Sequence, residues 1–333
     1  MDLTLIWAGI IALGVMVYVI LDGFDLGVGI LFPLAKSHRH RDVMMNSVTP
    51  FWDGNETWLV MGGTTLLAAF PRAYAVLLPA LYLPLLAMLI ALVFRGVAFE
   101  FRFKADPGHR VLWDISFSLG SAVAAFCQGI VVGAVVQGLS VENGAYAGGA
   151  FDWLTPFSLM TGLAVMNGYA LLGATWLIRK TEGGLQGWSY RMARRLLPLL
   201  LLFIVIVSVW TAASSAEIAE RWFSLPNFYV LSQVPLATLL LAGGAWYCLV
   251  RRIQGPPFIL SAALFLLSYI GLVISIWPYI VPRAITFWEA ASPPETQWFL
   301  MAGFLVFMPL VIAYTIMGYR VFGGKVREDE GYH

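Results

Sequence analysis

The sequence predicts an all-α polytopic membrane protein of about nine transmembrane helices, with the N-terminus outside and the C-terminus cytoplasmic. Three observations predict it. Sixty per cent of the 333 residues are hydrophobic and 12% are charged, about half the charged share of a soluble domain. Apolar stretches of about 20 residues, enough to cross a bilayer core, recur along the whole chain. The basic residues then fall on alternate connections between those stretches. A net charge of +1 gives no bulk attraction to nucleic acid, so lipid and protein are the expected surroundings.

The spans fall at 4–24, 55–70, 74–98, 112–137, 153–178, 197–214, 229–250, 258–280 and 298–320. The first begins "MDLTLIWAGI", with an acid and no Lys or Arg. It lacks the basic start and small-residue cleavage site of a signal peptide and reads as a retained helix. The second is short, and only "FPRAY" (70–74) separates it from the third. The fourth and fifth flank a Gly-rich acidic loop at 138–152. Pro198 near the start of the sixth and Pro309 inside the ninth each predict a kink. Connections 35–50, 95–111, 179–196, 251–257 and the end from Arg320 hold 17 of the 20 Lys and Arg. Arg72, Arg221 and Arg283 lie on the opposite side. Short basic loops stay cytoplasmic, which sets the orientation. Residues 1–320 thus form a single transmembrane domain, and 321–333 form a polar cytoplasmic tail.

Ionisable residues at helix ends carry the functional reading, because a charge in or near the membrane must be paired, wetted or used. Asp22 and Asp25 lie three apart in "LDGFDLGVG", and Asp53 and Glu56 lie three apart in "WDGNETW". Glu100 ends the third span in "FRGVAFEFR", and Asp114 opens the fourth in "RVLWDISF". By the predicted topology all lie near the cytoplasmic surface, so carboxylates from four consecutive helices are expected to converge at one depth. Such a group suits proton uptake. Structural roles compete with that reading. Asp53 and Glu56 fit a capping box after Pro50, Asp114 fits a cap, Glu100 can pair with Arg95 or Arg102, and Asp22 can sit solvated at the interface. Trp52 and Trp113 each precede an aspartate at a helix start. Gly23 with Gly27, and Gly129 with Gly133, are small-residue pairs that permit close helix contact, and Gln128 and Asn167 suit interhelical hydrogen bonds.

Some chemistry has no visible residues. His38, His40, His109 and His333 all fall in loops or the tail, whereas haem in a bundle is held by axial His or Met/His. The chain therefore is not expected to hold a haem, and no metal site is expected. Cys127 and Cys248 lie mid-span and read as packing residues. No phosphate-binding glycine loop and no nucleophile–base pair is evident.

"DGFDLGVG" (22–29) followed by "NSVTPFWDGNETWLV" (46–60) resembles the signature of subunit II of the cytochrome bd-type quinol oxidases. "VFRGVAFEFR" (93–102) and "WD" (113–114) fit as well, with "WPYIVP" (277–282) and "PLVIAYT" (309–315) fitting more loosely. The resemblance covers the whole chain, its specificity lies in the first 115 residues, and the compact length resembles the cyanide-insensitive branch. It implies a nine-helix fold of two four-helix bundles plus one helix, in the bacterial inner membrane. It implies a heterodimer with subunit I, which carries haems b and d and oxidises quinol, and in some members a small third subunit or a structural quinone. The complex would reduce O2 to water with cytoplasmic protons and build a proton-motive force without pumping. By motif, Asp25, Trp52, Asp53 and Asp114 match positions tied to assembly or the haem environment. Asp53 and Glu100 match positions on a proton path between the subunits, Glu100 standing where Asp is frequent. Asp22 and Glu56 join this set as neighbouring carboxylates. Two other readings use the same acids: a proton-coupled transporter, and a purely structural subunit.

Overall fold

The computed structural model describes residues 2–106 and 108–326. Seven of the 13 residues of the tail expected at 321–333, His333 among them, lie outside the described residues. The helices are α1 (Leu3–Leu31), α2 (His38–Asn46), α3 (Trp52–Ala69), α4 (Pro71–Phe101), α5 (Arg110–Gln137), α6 (Pro156–Lys180) and α7 (Gly183–Ser214), then α8 (Ala216–Phe223), α9 (Asn227–Leu231), α10 (Gln233–Arg251), α11 (Pro256–Ile276), α12 (Phe287–Ala290) and α13 (Pro294–Val321). Two short hairpins, β1–β2 (Val141–Glu142 with Ala145–Tyr146) and β3–β4 (Tyr279–Val281 with Ile285–Thr286), lie in connections at the end opposite the basic one.

Eight helices among the described residues are long and apolar enough to cross a membrane, and the chain is a multi-pass membrane protein. The expected second span, α3, is not one of the eight, because Asp53, Asn55 and Glu56 crowd its first two turns. Helix boundaries move outward from the apolar stretches. The helix expected to start at 197 starts at Gly183, so the basic run Arg191, Arg194, Arg195 is helical and not a loop. Long basic side chains can run along a helix end and leave the charge in water, so charge there does not break a helix. Pro198 and Pro309 do lie inside α7 and α13, as do Pro79 and Pro84 in α4.

Helices α1, α3, α4 and α5 pack side by side, as do α6, α7, α10 and α11. The two groups meet where α6 lies against α1 and α5, and α13 rests on α3 and α1. The seam is built from glycine. A Cβ on Gly27 would stand 1.8 Å from the carbonyl oxygen of Tyr169, and one on Gly173 would stand 2.4 Å from the Gly27 backbone. Gly129 and Gly133 face Thr161, Gly162 and Ser158 of α6 in the same way. Without a hydrophobic drive inside lipid, such backbone contact is what holds helices together. Gln128 acts across the seam: its amide donates to Tyr18 (2.7 Å) and accepts from Tyr169 (2.6 Å). Asn167 donates to the Leu196 carbonyl of α7.

At the opposite end, Asp2 caps α1 by accepting from Thr4 and Leu5 and also accepts from the Trp288 indole at 2.8 Å. That indole contact holds the Asp2 carboxyl below its ordinary range.

Gly27→Val is expected to destabilise the folded chain by about 3 kcal/mol or more, since backbone on the far side cannot yield. Gly9→Ala, with open space around it, is expected to leave stability unchanged. The monodisperse fraction of detergent-solubilised protein after a heating series measures both.

Candidate functional site

The six carboxylates singled out from the sequence do not converge. They divide into two buried ion clusters and two exposed side chains.

The first cluster centres on Arg95, fully buried on α4. Its guanidinium donates to Asp22 at 2.6 Å and to Glu56 at 2.7 Å. Asp22 is therefore not solvated at an interface; it is completely buried. Asp25, one turn on, is buried too and accepts from the Asn55 amide at 2.7 Å. The same amide donates to the Leu21 carbonyl, and its oxygen accepts from Tyr319 of α13 at 2.9 Å. Two carboxylates thus share one guanidinium with Asp25 beside them, and Asp22 Oδ2 and Asp25 Oδ1 are buried without a hydrogen-bond donor. A guanidinium suits this position because it stays charged in a buried site and spreads its donors in a fork.

The expected capping box at Asp53 and Glu56 does not form. The turn before α3 winds into the helix: Trp52 N–H donates to Val48 and Asn55 N–H to Phe51. Phe51 is the cap residue and makes no side-chain cap bond. With the backbone already satisfied, Glu56 turns to Arg95. Residues three apart stand about 60° apart around a helix. That offset is enough to put Glu56 on the cluster and leave Asp53 exposed.

The second cluster holds Asp114, which is an ion-pair partner and not a cap. Arg102 Nε donates to it at 2.5 Å, and Arg41 at 3.0 Å. Arg102 also pairs with Asp42 at 2.7 Å and stacks its guanidinium over Phe32 and Phe103. The start of α5 is thereby bolted to α2 and the end of α4.

Glu100 pairs with neither Arg95 nor Arg102. It is 70% exposed and meets Lys104, one turn away, at 3.4 Å. Trp52 stacks on Phe99 of α4 (5.0 Å between centroids) and Trp113 on Phe101 (5.1 Å), so both wedge α3 and α5 against the last turn of α4. His38, His40 and His109 lie on α2 and at the cap of α5. Among the described residues no group of three or more His, Cys, Asp and Glu is placed to hold a metal ion.

Sequence reading missed Arg95 as a centre, Asn55 and Tyr319 as the partners of Asp25, and Arg41, Asp42 and Arg102 as the partners of Asp114. An arginine buried in an apolar run was the available signal for Arg95, since a lone charge there must find carboxylates.

The chain matches the family Cytochrome bd terminal oxidase subunit II over residues 3–322. It belongs to that family. Relatives cover nearly its full length. It is 28% identical to the "Probable cytochrome oxidase subunit 2" of Haemophilus influenzae, over 97% of this chain and 95% of that one. It is 27% identical to the "Cytochrome bd-I ubiquinol oxidase subunit 2" of Escherichia coli K12, over 98% and 96%. With the "Cytochrome bd ubiquinol oxidase subunit 2" of Bacillus subtilis it shares 28%, over 98% and 97%. The fold is that of a chain in the bd oxidase of Geobacillus thermodenitrificans, with a TM-score of 0.79, 17% identity, and 97% and 99% of the two chains covered.

In this subunit II, Arg95→Gln leaves Asp22 and Glu56 buried without their counter-charge, and a loss of about 3–5 kcal/mol is expected. Asp22→Asn, which keeps a hydrogen-bonding oxygen toward Arg95, is expected to cost less. Thermal unfolding followed by tryptophan fluorescence ranks the two.

Proposed function

We propose that this chain is the haem-free subunit II of a quinol:oxygen oxidoreductase in the bacterial inner membrane. It would scaffold a haem-bearing subunit I and supply a cytoplasmic proton path for reducing O2 to water. Family membership supports the complex and its partner. The orientation proposed is N-terminus outside, resting on the 17 of 20 basic residues on one side. The haems b and d would belong to subunit I, and no residue here is assigned to a structural quinone.

The observation that carries the proton path is the exposure of Asp53 and Glu100. A carboxylate on the flank of a spanning helix is unfavourable against lipid. Asp53 on the first turn of α3 and Glu100 on the last turn of α4 are both exposed, on adjacent helices at the basic end. They would complete a polar path with an apposed subunit. Asp25 would act behind them, through its unfilled carboxylate oxygen and its link to Asn55. Trp52, Asp114, Asp22 and Glu56 would hold the frame by the contacts described above.

The purely structural reading draws on the same two ion clusters and differs in one outcome. Asp53→Asn and Glu100→Gln are expected to leave the complex assembled, with haem bands intact, and to slow quinol-driven oxygen uptake about 100-fold, the lower end of the range for removing a proton-transfer group. Loss of the complex supports the scaffold. Full activity in both variants sinks the path. A reduced-minus-oxidised visible spectrum adds a second test: haem bands are expected only when subunit I is co-expressed.

A further inference from the structure

We propose that the basic end of this chain carries a binding site for a phosphate group, in a cavity between the end of α6, the start of α3 and the segment that follows α13. The cavity is about 200 Å³ and is lined by Asn46, Ser47, Phe51, Lys180, Lys325 and Val326, among others.

Lys180 is the reason for the assignment. It is the last residue of α6 and is only 3% exposed. Its ammonium donates to the carbonyls of Phe322 and Gly324 and lies over the rings of Phe51 and Trp176, at 5.1 and 5.3 Å. Among the described residues no carboxylate pairs with it. Glu182, two residues on, pairs instead with Lys325 at 3.3 Å. Every other buried cation of the two clusters described above, Arg95 and Arg102, has carboxylate partners. A buried charge with carbonyls and rings around it but no counter-ion is incompletely compensated. Two of its three N–H groups are used by carbonyls, and one remains.

Asn46 supplies an independent sign. It is 5% exposed, it lines the same cavity, and its amide oxygen has no hydrogen-bond partner. A buried amide left open beside a buried ammonium marks a wall built for a polar occupant. Lys325 brings a second ammonium to the rim, 32% exposed and held by Gln254 at 2.9 Å. The occupant is therefore anionic toward the two ammonium groups and carries a hydroxyl that donates to the open Asn46 amide oxygen. A phosphate group meets those demands: it accepts charge-assisted hydrogen bonds from ammonium, and its volume suits the cavity. Two sources carry that chemistry where a helix meets the membrane surface: the headgroup of an anionic phospholipid, and free phosphate.

The test uses the full chain isolated from membranes in a neutral detergent, with whatever subunits accompany it, after lipid exchange. Native mass spectrometry and thermal midpoint are read with three probes: inorganic phosphate, phosphatidylglycerol and diacylglycerol, which lacks the phosphate. Phosphatidylglycerol is expected to bind one per chain and raise the midpoint, and diacylglycerol is not. Lys180→Gln is expected to weaken that binding about tenfold or more, the worth of one charge-assisted bond. Should that variant fail to fold, Asn46→Asp decides: a carboxylate on the wall supplies the missing counter-charge and repels phosphate, so binding falls while the protein stays folded. Inorganic phosphate competing with the lipid at millimolar concentration identifies the phosphate itself as the group read; no competition identifies the lipid headgroup. Equal binding of the two lipids overturns the site, as does unchanged binding in a folded variant or no binding to wild type.

Discussion

One buried guanidinium organises the first half of this molecule. Arg95 cannot shed its charge and cannot reach water, so α1 and α3 must each bring it a carboxylate. Those two contacts fix the rotation of three helices about their own axes. Everything nearby inherits that rotation. With Glu56 turned inward, Asp53 must face out. With Asp22 on Arg95, Asp25 stands one turn away against Asn55, and through Asn55 the last helix is tethered by Tyr319. The charge is thus a positioning device, and the exposed acids are where they are because the buried ones are satisfied.

The second cluster repeats the principle with a different balance. Arg41 and Arg102 meet Asp42 and Asp114, two cations to two anions, and the aromatic faces of Phe32 and Phe103 cover the guanidinium. It is electrically closed. The Arg95 cluster is not: Asp22 and Glu56 share one arginine, and Asp25 stands beside them against the Asn55 amide. An open cluster lies next to the surface where Asp53 and Glu100 are exposed, while the closed one merely fastens helix ends.

How far this was readable in advance differs by level. The spans were legible because lipid demands apolar length, and the family was legible because two long motifs coincide in one chain. Helix ends were misjudged where basic residues extend a helix into the surface layer, as at 183–196. The carboxylates were found but their partners were not. Asp22 and Arg95 lie 73 residues apart, and nothing local in "LDGFD" says that a guanidinium waits there. The capping box at Asp53 was a sound local rule that failed for a tertiary reason: Glu56 had a stronger partner, and the preceding turn had already satisfied the backbone. Glu100 was read as meeting an arginine because two flank it, yet both arginines were committed elsewhere.

The glycine seam between α1 and α6 has a mechanical consequence. Backbone touching backbone at Gly27 and Gly173 leaves no compressible side chain between α1 and α6 at that level. Such a joint cannot breathe apart by rotamer changes, and it cannot slide, because each glycine sits in a notch of the other helix. The one low-energy freedom it retains is pivoting about the contact point. Any movement of one helix group against the other during turnover would then be a tilt, small at the seam and largest at the two ends.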